Sequence, residues 1–302
     1  MSKLYLICGK GGVGKTTVAS AIAVSLSNKG QKTLLLSTDF SPAVGDVLDF
    51  QIGHKITKIN ENLFSIEIDQ KSITDRWIKK FGQDFNEILS RLINIESLDK
   101  EAKHNLLEYI SSAPSLKEET MLDYIVELCQ QGEFERVVWD SAPAGETLNL
   151  LNMPLLLKKH LTSGAKIYES IDKLTKFAKN KRTVSEIIDS WVNLSVYISN
   201  FIKNNASFIV VTNPEKVVYQ RTKDILNTLR EYEMNIKGGV INKIFKNIGD
   251  ENIKNEQLKI IHDLYKLFET PLVEIEFNIK NVRSIENLKD IGSKIIEKLS
   301  LN

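Results

Sequence analysis

Gly9-Lys10-Gly11-Gly12-Val13-Gly14-Lys15-Thr16-Thr17 follows G-x-x-x-x-G-K-[ST], the pattern of a loop whose backbone N–H groups cradle nucleotide phosphates. Four near-fixed positions arise by chance in roughly one chain of this length in a hundred. Leu4-Tyr5-Leu6-Ile7-Cys8 before the loop reads as a buried strand, and Thr17 to Lys29 after it as a helix. Strand, loop and helix in that order are what anion binding demands, because the loop amides and the helix N-terminus act together on negative charge. Gly11, Gly12, Val13, Gly14, Lys15, Thr16 and Thr17 are therefore the expected phosphate-binding residues. Lys15 is expected at the β- and γ-phosphates, and the Thr16 hydroxyl on Mg²⁺.

Lys10 adds a second layer. A lysine directly before Gly-Gly-Val-Gly-Lys-Thr-Thr resembles the signature lysine of the deviant Walker A class of P-loop ATPases. That resemblance implies a homodimer in which Lys10 reaches toward the partner's nucleotide and acts as an arginine finger does, completing charge stabilisation. The plainer reading of Lys10 is a solvated loop lysine.

Bulk properties narrow the classes. At 302 residues with 42% hydrophobic content, the chain can bury a substantial core in one large domain or two modest ones. Lys+Arg 40 against Asp+Glu 39 gives a net charge of +1, so no global field invites nucleic acid. No run of 18 uninterrupted apolar residues occurs, so no integral membrane segment is expected. Met1-Ser2-Lys3 runs straight into the first strand without a signal-peptide pattern, which points to the cytoplasm. The two cysteines, Cys8 and Cys129, form no C-x-x-C pair, so no disulfide framework, zinc clasp or iron–sulfur site is expected.

Further along, Lys32 to Ser37, Ser65 to Asp69, Glu135 to Trp139, Phe208 to Thr212, Gly239 to Asn242 and Pro271 to Ile275 read as strands. Helical patterns lie between them, at Glu215 to Tyr232, near Asn255 to Phe268, and at the terminal Ile285-Leu288-Ile291-Ile295-Leu299 series. Strands alternating with helices predict an α/β fold, a mostly parallel sheet with helices on both faces. Residues 71–131 and 155–205 are expected to form a helical layer beside one P-loop core spanning 1–302. In the first of these, Ile73, Trp77, Phe81 and Phe85 repeat every four residues, a stripe that reads as packing or as a binding surface. Asp140, ending an apolar strand before the small-residue loop Ser141-Ala142-Pro143-Ala144-Gly145, suits a Walker B aspartate near Mg²⁺.

Several segments together resemble one family, the arsenite-pump ATPases and the tail-anchored-protein-targeting ATPases. They are Lys10–Thr17; Ser37-Thr38-Asp39 with Asp46; Glu67-Ile68-Asp69; Pro114 with Glu118; Asp140-Ser141-Ala142-Pro143-Ala144-Gly145-Glu146-Thr147-Leu148; Pro214-Glu215; and Val240-Ile241-Asn242. The resemblance implies ATP and Mg²⁺ as ligands, with Asp39 orienting the attacking water beside the catalytic Lys10 and Lys15. It implies Asp140 in the metal shell, Thr16 as direct metal ligand, Asn242 and Pro214 near the adenine, and Phe277 to Val282 as a loop closing over the base. Asp39 reads alternatively as a turn or helix cap, and Asn242 as a turn residue. The sequence departs from the family pattern at Asp39-Phe40-Ser41-Pro42-Ala43, at Glu146 and at Asn149, and so in the loops expected to couple nucleotide state to dimer opening.

Within that family, the resemblance implies a cytoplasmic, homodimeric ATPase that opens and closes around a transmembrane-helix client. Trp77 to Ile93 and Ile187 to Ile202 are candidate groove segments. An alternative is a switch of the MinD or ParA type that dimerises with ATP and acts on a membrane or protein partner. The terminal helix, with lysines beside its apolar face, is then the element that would touch lipid rather than pack on the sheet. Arsenite pumping fits less well, since that role uses a cysteine triad.

Overall fold

A computed structural model describes residues 1–39, 44–92, 114–141, 182–277 and 285–301. These residues fall into two compact units: Met1–Asp69, Glu127–Leu148 and Lys203–Asn302 form the first, Gln70–Val126 and Asn149–Ile202 the second.

The first unit is built on an eight-stranded sheet of β1 (Lys3–Gly9), β2 (Thr33–Ser37), β3 (Thr57–Lys58), β4 (Leu63–Glu67), β5 (Arg136–Asp140), β6 (Ala206–Thr212), β7 (Ile236–Ile244) and β8 (Leu272–Glu276). Their spatial order is β3-β4-β2-β5-β1-β6-β7-β8. Pairing is parallel except at the edge, where β3 runs antiparallel to β4. The inner strands are near-continuous apolar runs, as a sheet covered on both faces requires. β2 reads Thr-Leu-Leu-Leu-Ser with all five residues buried. This is the mostly parallel α/β arrangement expected from the alternation of patterns.

Helix α1 (Lys15–Asn28) follows the phosphate loop and is buried along almost its whole length, with Ala19, Ala21, Ala23, Ser20 and Ser25 on its surface. Small side chains let neighbours approach its backbone closely. The terminal helix, Ile285–Lys298, exploits this: a Cβ on its Gly292 would lie 1.9 Å from the Ala21 carbonyl oxygen. Ser25 Oγ donates to Lys289 O at 2.9 Å across the same contact. Leu288, Ile295 and Ile296 are buried in the shared core, so the apolar face of this helix is spent on packing rather than turned to solvent. Gly292→Ala should accordingly destabilise the chain by about 1–3 kcal/mol, read as a lower urea midpoint. An unchanged midpoint would mean the two helices separate freely.

The short helix α2 (Val44–Leu48) and strand β3 are too short to show a period in the sequence. Phe40–Ala43, 93–113, 142–181 and 278–284 lie outside the described residues. With them go Pro143, Glu146, Asn149 and most of the expected adenine loop.

The second unit contains α3 (Gln70–Leu92), most of α4 (Pro114–Gln130) and most of α5 (Val184–Asn205). The stripe expected on α3 is present as an aromatic cluster. Trp77 lies 5.8 Å from Phe85 and 6.3 Å from Phe81, ring centre to ring centre, and Phe81 stands edge-on to Trp191 of α5 at 6.2 Å. Such offset and perpendicular arrangements suit the ring quadrupoles. Lys80 pairs with Asp123, and the Arg76 guanidinium sits 4.1 Å over the Tyr124 ring. Burial pushes the Glu119 carboxyl from 4.5 up to about 7; nearby Ser195 opposes this and Asp123 adds to it.

Glu119 therefore costs the fold stability at neutral pH. Folded chains keep this proton up to about 7, while unfolded chains release it near 4.5, so the folded state binds more protons between those values. Its contribution is fully favourable below about 4.5 and is lost as pH rises through about 7. Glu119→Gln, which mimics the protonated acid, should raise thermal stability at pH 8 by about 2 kcal/mol, allowing for partial exposure, and hardly at all at pH 4. A gain independent of pH would contradict this origin.

Candidate functional site

Strand β5 is hydrogen-bonded between β1 and β2, which sets Asp140 level with Ile7 on one side and with Ser37 on the other. The carboxyl ends of three adjacent strands thus deliver the phosphate loop, Asp140 and Asp39 to one edge of the sheet. The chain leaves β1 toward β2 on one side and the adjacent β6 toward β7 on the other, which makes this the topological switch point at which open α/β sheets bind ligands.

The loop itself is held from below. Val13 is buried, and its carbonyl accepts from Asn242 Nδ2 at 2.9 Å. Asn213, with its amide nitrogen turned to the loop, reaches the same carbonyl at 3.2 Å. Lys243 Nζ donates to Gly12 O at 2.7 Å. Three side chains from the ends of β6 and β7 thereby tie down two loop carbonyls, Val13 O and Gly12 O. Gly14 caps α1 in a left-handed conformation, φ 94°, and a Cβ there would lie 2.3 Å from Asn242 Nδ2. Both facts require glycine. No side chain among the described residues caps α1, and a helix N-terminus of that kind suits an anion.

Asp140 is 1% exposed. Its carboxyl is raised from 3.8 to about 6, chiefly by burial; Thr16, Lys15 and Ser37 pull it back, and Asp39 pushes it further up. Ser37 Oγ donates to Asp140 Oδ2 at 3.4 Å. The other oxygen, Oδ1, is buried without a formed hydrogen bond among the described residues. A buried carboxylate oxygen left open beside a threonine hydroxyl is the donor set a small, hard, oxygen-seeking cation uses. Thr16 and Asp140 thus fit Mg²⁺. Lys15, also buried, places fixed positive charge beside the loop.

Asp39 follows Ser37-Thr38 at the end of β2 and is half-buried, its N–H donating to Ser37 Oγ at 3.3 Å. Trp139 Nε1 donates to Thr38 Oγ1 at 2.9 Å, and Thr38 N to Asp140 O at 3.1 Å, which locks the end of β2 to β5. Glu67, which entered on family resemblance alone, acts as a cap: its Oε1 accepts from Val44 N and Gly45 N, each at 3.1 Å. It fixes the start of α2, just beyond the loop that carries Asp39. Lys10 is half-buried on the phosphate loop.

An open cavity of about 440 Å³ lies beside Gly14, Thr17 and Val18, walled by Asn242, Phe277 and Ile291. That is the size range of small-molecule sites. Asn242 therefore both holds the loop and faces this cavity, and Phe277 lines it with its ring 4.8 Å from Phe245. Pro214 instead lines a neighbouring cavity of about 300 Å³ that shares Lys243 with the first. Asn213, Lys243 and the capping function of Glu67 were not foreseen; Thr-Asn-Pro at the end of β6 was the available signal for Asn213. Replacing Asn242 by Ala should weaken nucleotide affinity by roughly tenfold, since one loop carbonyl is freed and the cavity loses a polar wall. Titration with a fluorescent ATP analogue measures it, and unaltered affinity would remove Asn242 from the site.

A family model described as anion-transporting ATPase matches residues 2–297. An Aquifex aeolicus protein with the provisional name arsenical pump-driving ATPase 2 is 30% identical over 292 residues, covering 94% of this chain and 91% of that protein. The ATPase ASNA1 homolog 1 of Paramecium tetraurelia is 26% identical over 323 residues, covering 99% and 94% respectively. A Halobacterium salinarum protein, also provisionally named as an arsenical pump-driving ATPase, is 25% identical, but the matched part is 44% of its length. With its phosphate loop, switch-point cavity and open carboxylate in place, the chain belongs to the anion-transporting ATPase family and is an ATPase.

Proposed function

We propose that this chain works as a homodimer that closes on binding Mg²⁺-ATP and opens after hydrolysis, and that the cycle captures and releases a hydrophobic client, the membrane segment of a tail-anchored protein. The observation that carries the ATP half of this reading is the open, buried Oδ1 of Asp140 beside Thr16 and Lys15. Phosphoryl transfer needs positioning and charge neutralisation more than covalent chemistry. One carboxylate to orient water, Asp39, and one in the metal shell, Asp140, suffice. The ion, when bound, supplies neutralisation of the β- and γ-phosphate charge. Lys15 holds the phosphates, and Lys10 completes the partner's site across the dimer.

The client half rests on the family resemblance and on the apolar, aromatic character of α3 and α5. The proposed setting is the cytoplasm, where both thiols stay reduced. Metalloid binding is the weaker family role: Cys8 and Cys129 are buried, and burial pushes each thiol up to about 12. Neither then offers the thiolate a soft metalloid needs. Lipid contact through the terminal helix is disfavoured because its apolar residues are already packed.

Asp39→Asn should keep ATP affinity within about twofold and lower turnover by roughly a hundredfold or more; Lys15→Ala should lose both. Normal turnover in Asp39→Asn would remove the water-orienting role. The same trapped variant tests the client half. A fluorescent transmembrane-helix peptide should be captured with ATP and not with ADP, and absence of capture in both states, with ATP-dependent dimerisation intact, would leave a switch without helix cargo.

A further inference from the structure

The aromatic cluster of the second unit encloses more than packing. Trp77, Phe81, Phe85 and Trp191 line a cavity of about 40 Å³ together with Leu194, Thr120 and Glu119. That volume admits about three waters or one compact group of a few heavy atoms; a nucleobase does not fit it. Its walls are π-faces and edges held in fixed mutual orientation, with Phe81 and Trp191 at 87°. Into this apolar wall a single carboxylate is set.

Glu119 is the odd member. Two described cations of its own unit are engaged with other groups: Lys80 pairs with Asp123 and Arg76 covers Tyr124. Ser195 is 1% exposed, and its hydroxyl lies near the carboxyl without a formed hydrogen bond. A buried acid among rings lowers stability at neutral pH, and an apolar residue of the same size would pack there without that cost. Rings alone would suit any apolar group, and an acid alone would suit any cation. The combination selects a cation whose surface is apolar.

We propose that Trp77, Phe81, Phe85 and Trp191, with Glu119, form a binding site for a small substituted ammonium ion, its alkyl groups against the rings and its charge against the carboxylate. Stacked cation–π contacts favour such ions over strongly hydrated ammonium or sodium, because the alkylated ion is weakly hydrated and leaves water readily. The ligand differs in chemistry from the nucleotide and from the transmembrane client that the proposed function places on the same two helices, α3 and α5.

Choline and its uncharged isostere 3,3-dimethylbutan-1-ol separate charge recognition from apolar filling. Calorimetry on the full-length protein at pH 8, with the carboxyl ionised, supplies the affinities. Two of the three tryptophans, Trp77 and Trp191, line the cavity, so quenching of intrinsic fluorescence gives an independent readout. Choline should bind saturably and at least roughly tenfold more tightly than the alcohol. Glu119→Gln should abolish that preference while leaving the folded spectrum intact. Trp191→Phe, which keeps a ring of weaker quadrupole, should weaken choline and spare the alcohol. Equal affinity for choline and alcohol, no saturable choline binding, or full choline affinity in Glu119→Gln would each overturn the proposal.

Discussion

Insertion of β5 between β1 and β2 is the constraint on which the nucleotide site rests. Parallel ladders tolerate no half-step slip, because a one-residue shift turns every side chain to the opposite face. With Ile7, Asp140 and Ser37 level, Asp140 can only emerge beside the phosphate loop. Close packing of these strands on both faces is what makes any other register costly. Trp139 reinforces the same alignment through its indole hydrogen bond to Thr38. The chemistry of the site is therefore inherited from sheet packing: the residues that need accuracy are the last residues of strands whose interiors cannot move.

Helix α1 applies the second constraint. Its small residues allow the terminal helix to approach to backbone contact at Gly292, and this fixes the wall carrying Ile291 beside the cavity at Gly14 and Thr17. The last segment of the chain thus shapes a site whose first residues lie near its start. Bringing such distant segments together is favourable only because the contact buries apolar surface on both helices.

This division explains what the sequence made legible. The loop Gly9–Thr17, its flanking strand and helix, and the strand ending at Asp140 are local patterns that emerge with boundaries close to those read from periodicity, whereas the strand read as Gly239 to Asn242 runs from Ile236 to Ile244. Strand order is not local, and neither is the convergence of Asn213 and Asn242 on Val13 O. A carboxamide at a strand end looks the same whether it reads a base or props a loop. Glu67 is similar: nothing in its own neighbourhood announces that its oxygen serves α2, whose first N–H groups lie more than twenty positions earlier. The α3 stripe was legible as apolar. Its meeting with Glu119 was not, because the helices that join them pair across long sequence separations.

Asp140 and Glu119 show how one physical effect yields two kinds of carboxylate. Burial raises both, Asp140 to about 6 and Glu119 to about 7. Around Asp140 the chain provides a lysine and hydroxyls, so the group is poised to stay ionised once a cation completes its surroundings. Around Glu119 the neighbours are mostly rings, and a nearby acid, Asp123, opposes ionisation. An acid in polar company suits a hard metal ion that keeps water and phosphate oxygens as co-ligands. An acid among aromatic faces suits a soft organic cation, since the rings replace water on the ion's apolar surface and the carboxylate meets only the net charge. Burial sets the size of each shift, and the neighbours decide which cation can reverse it.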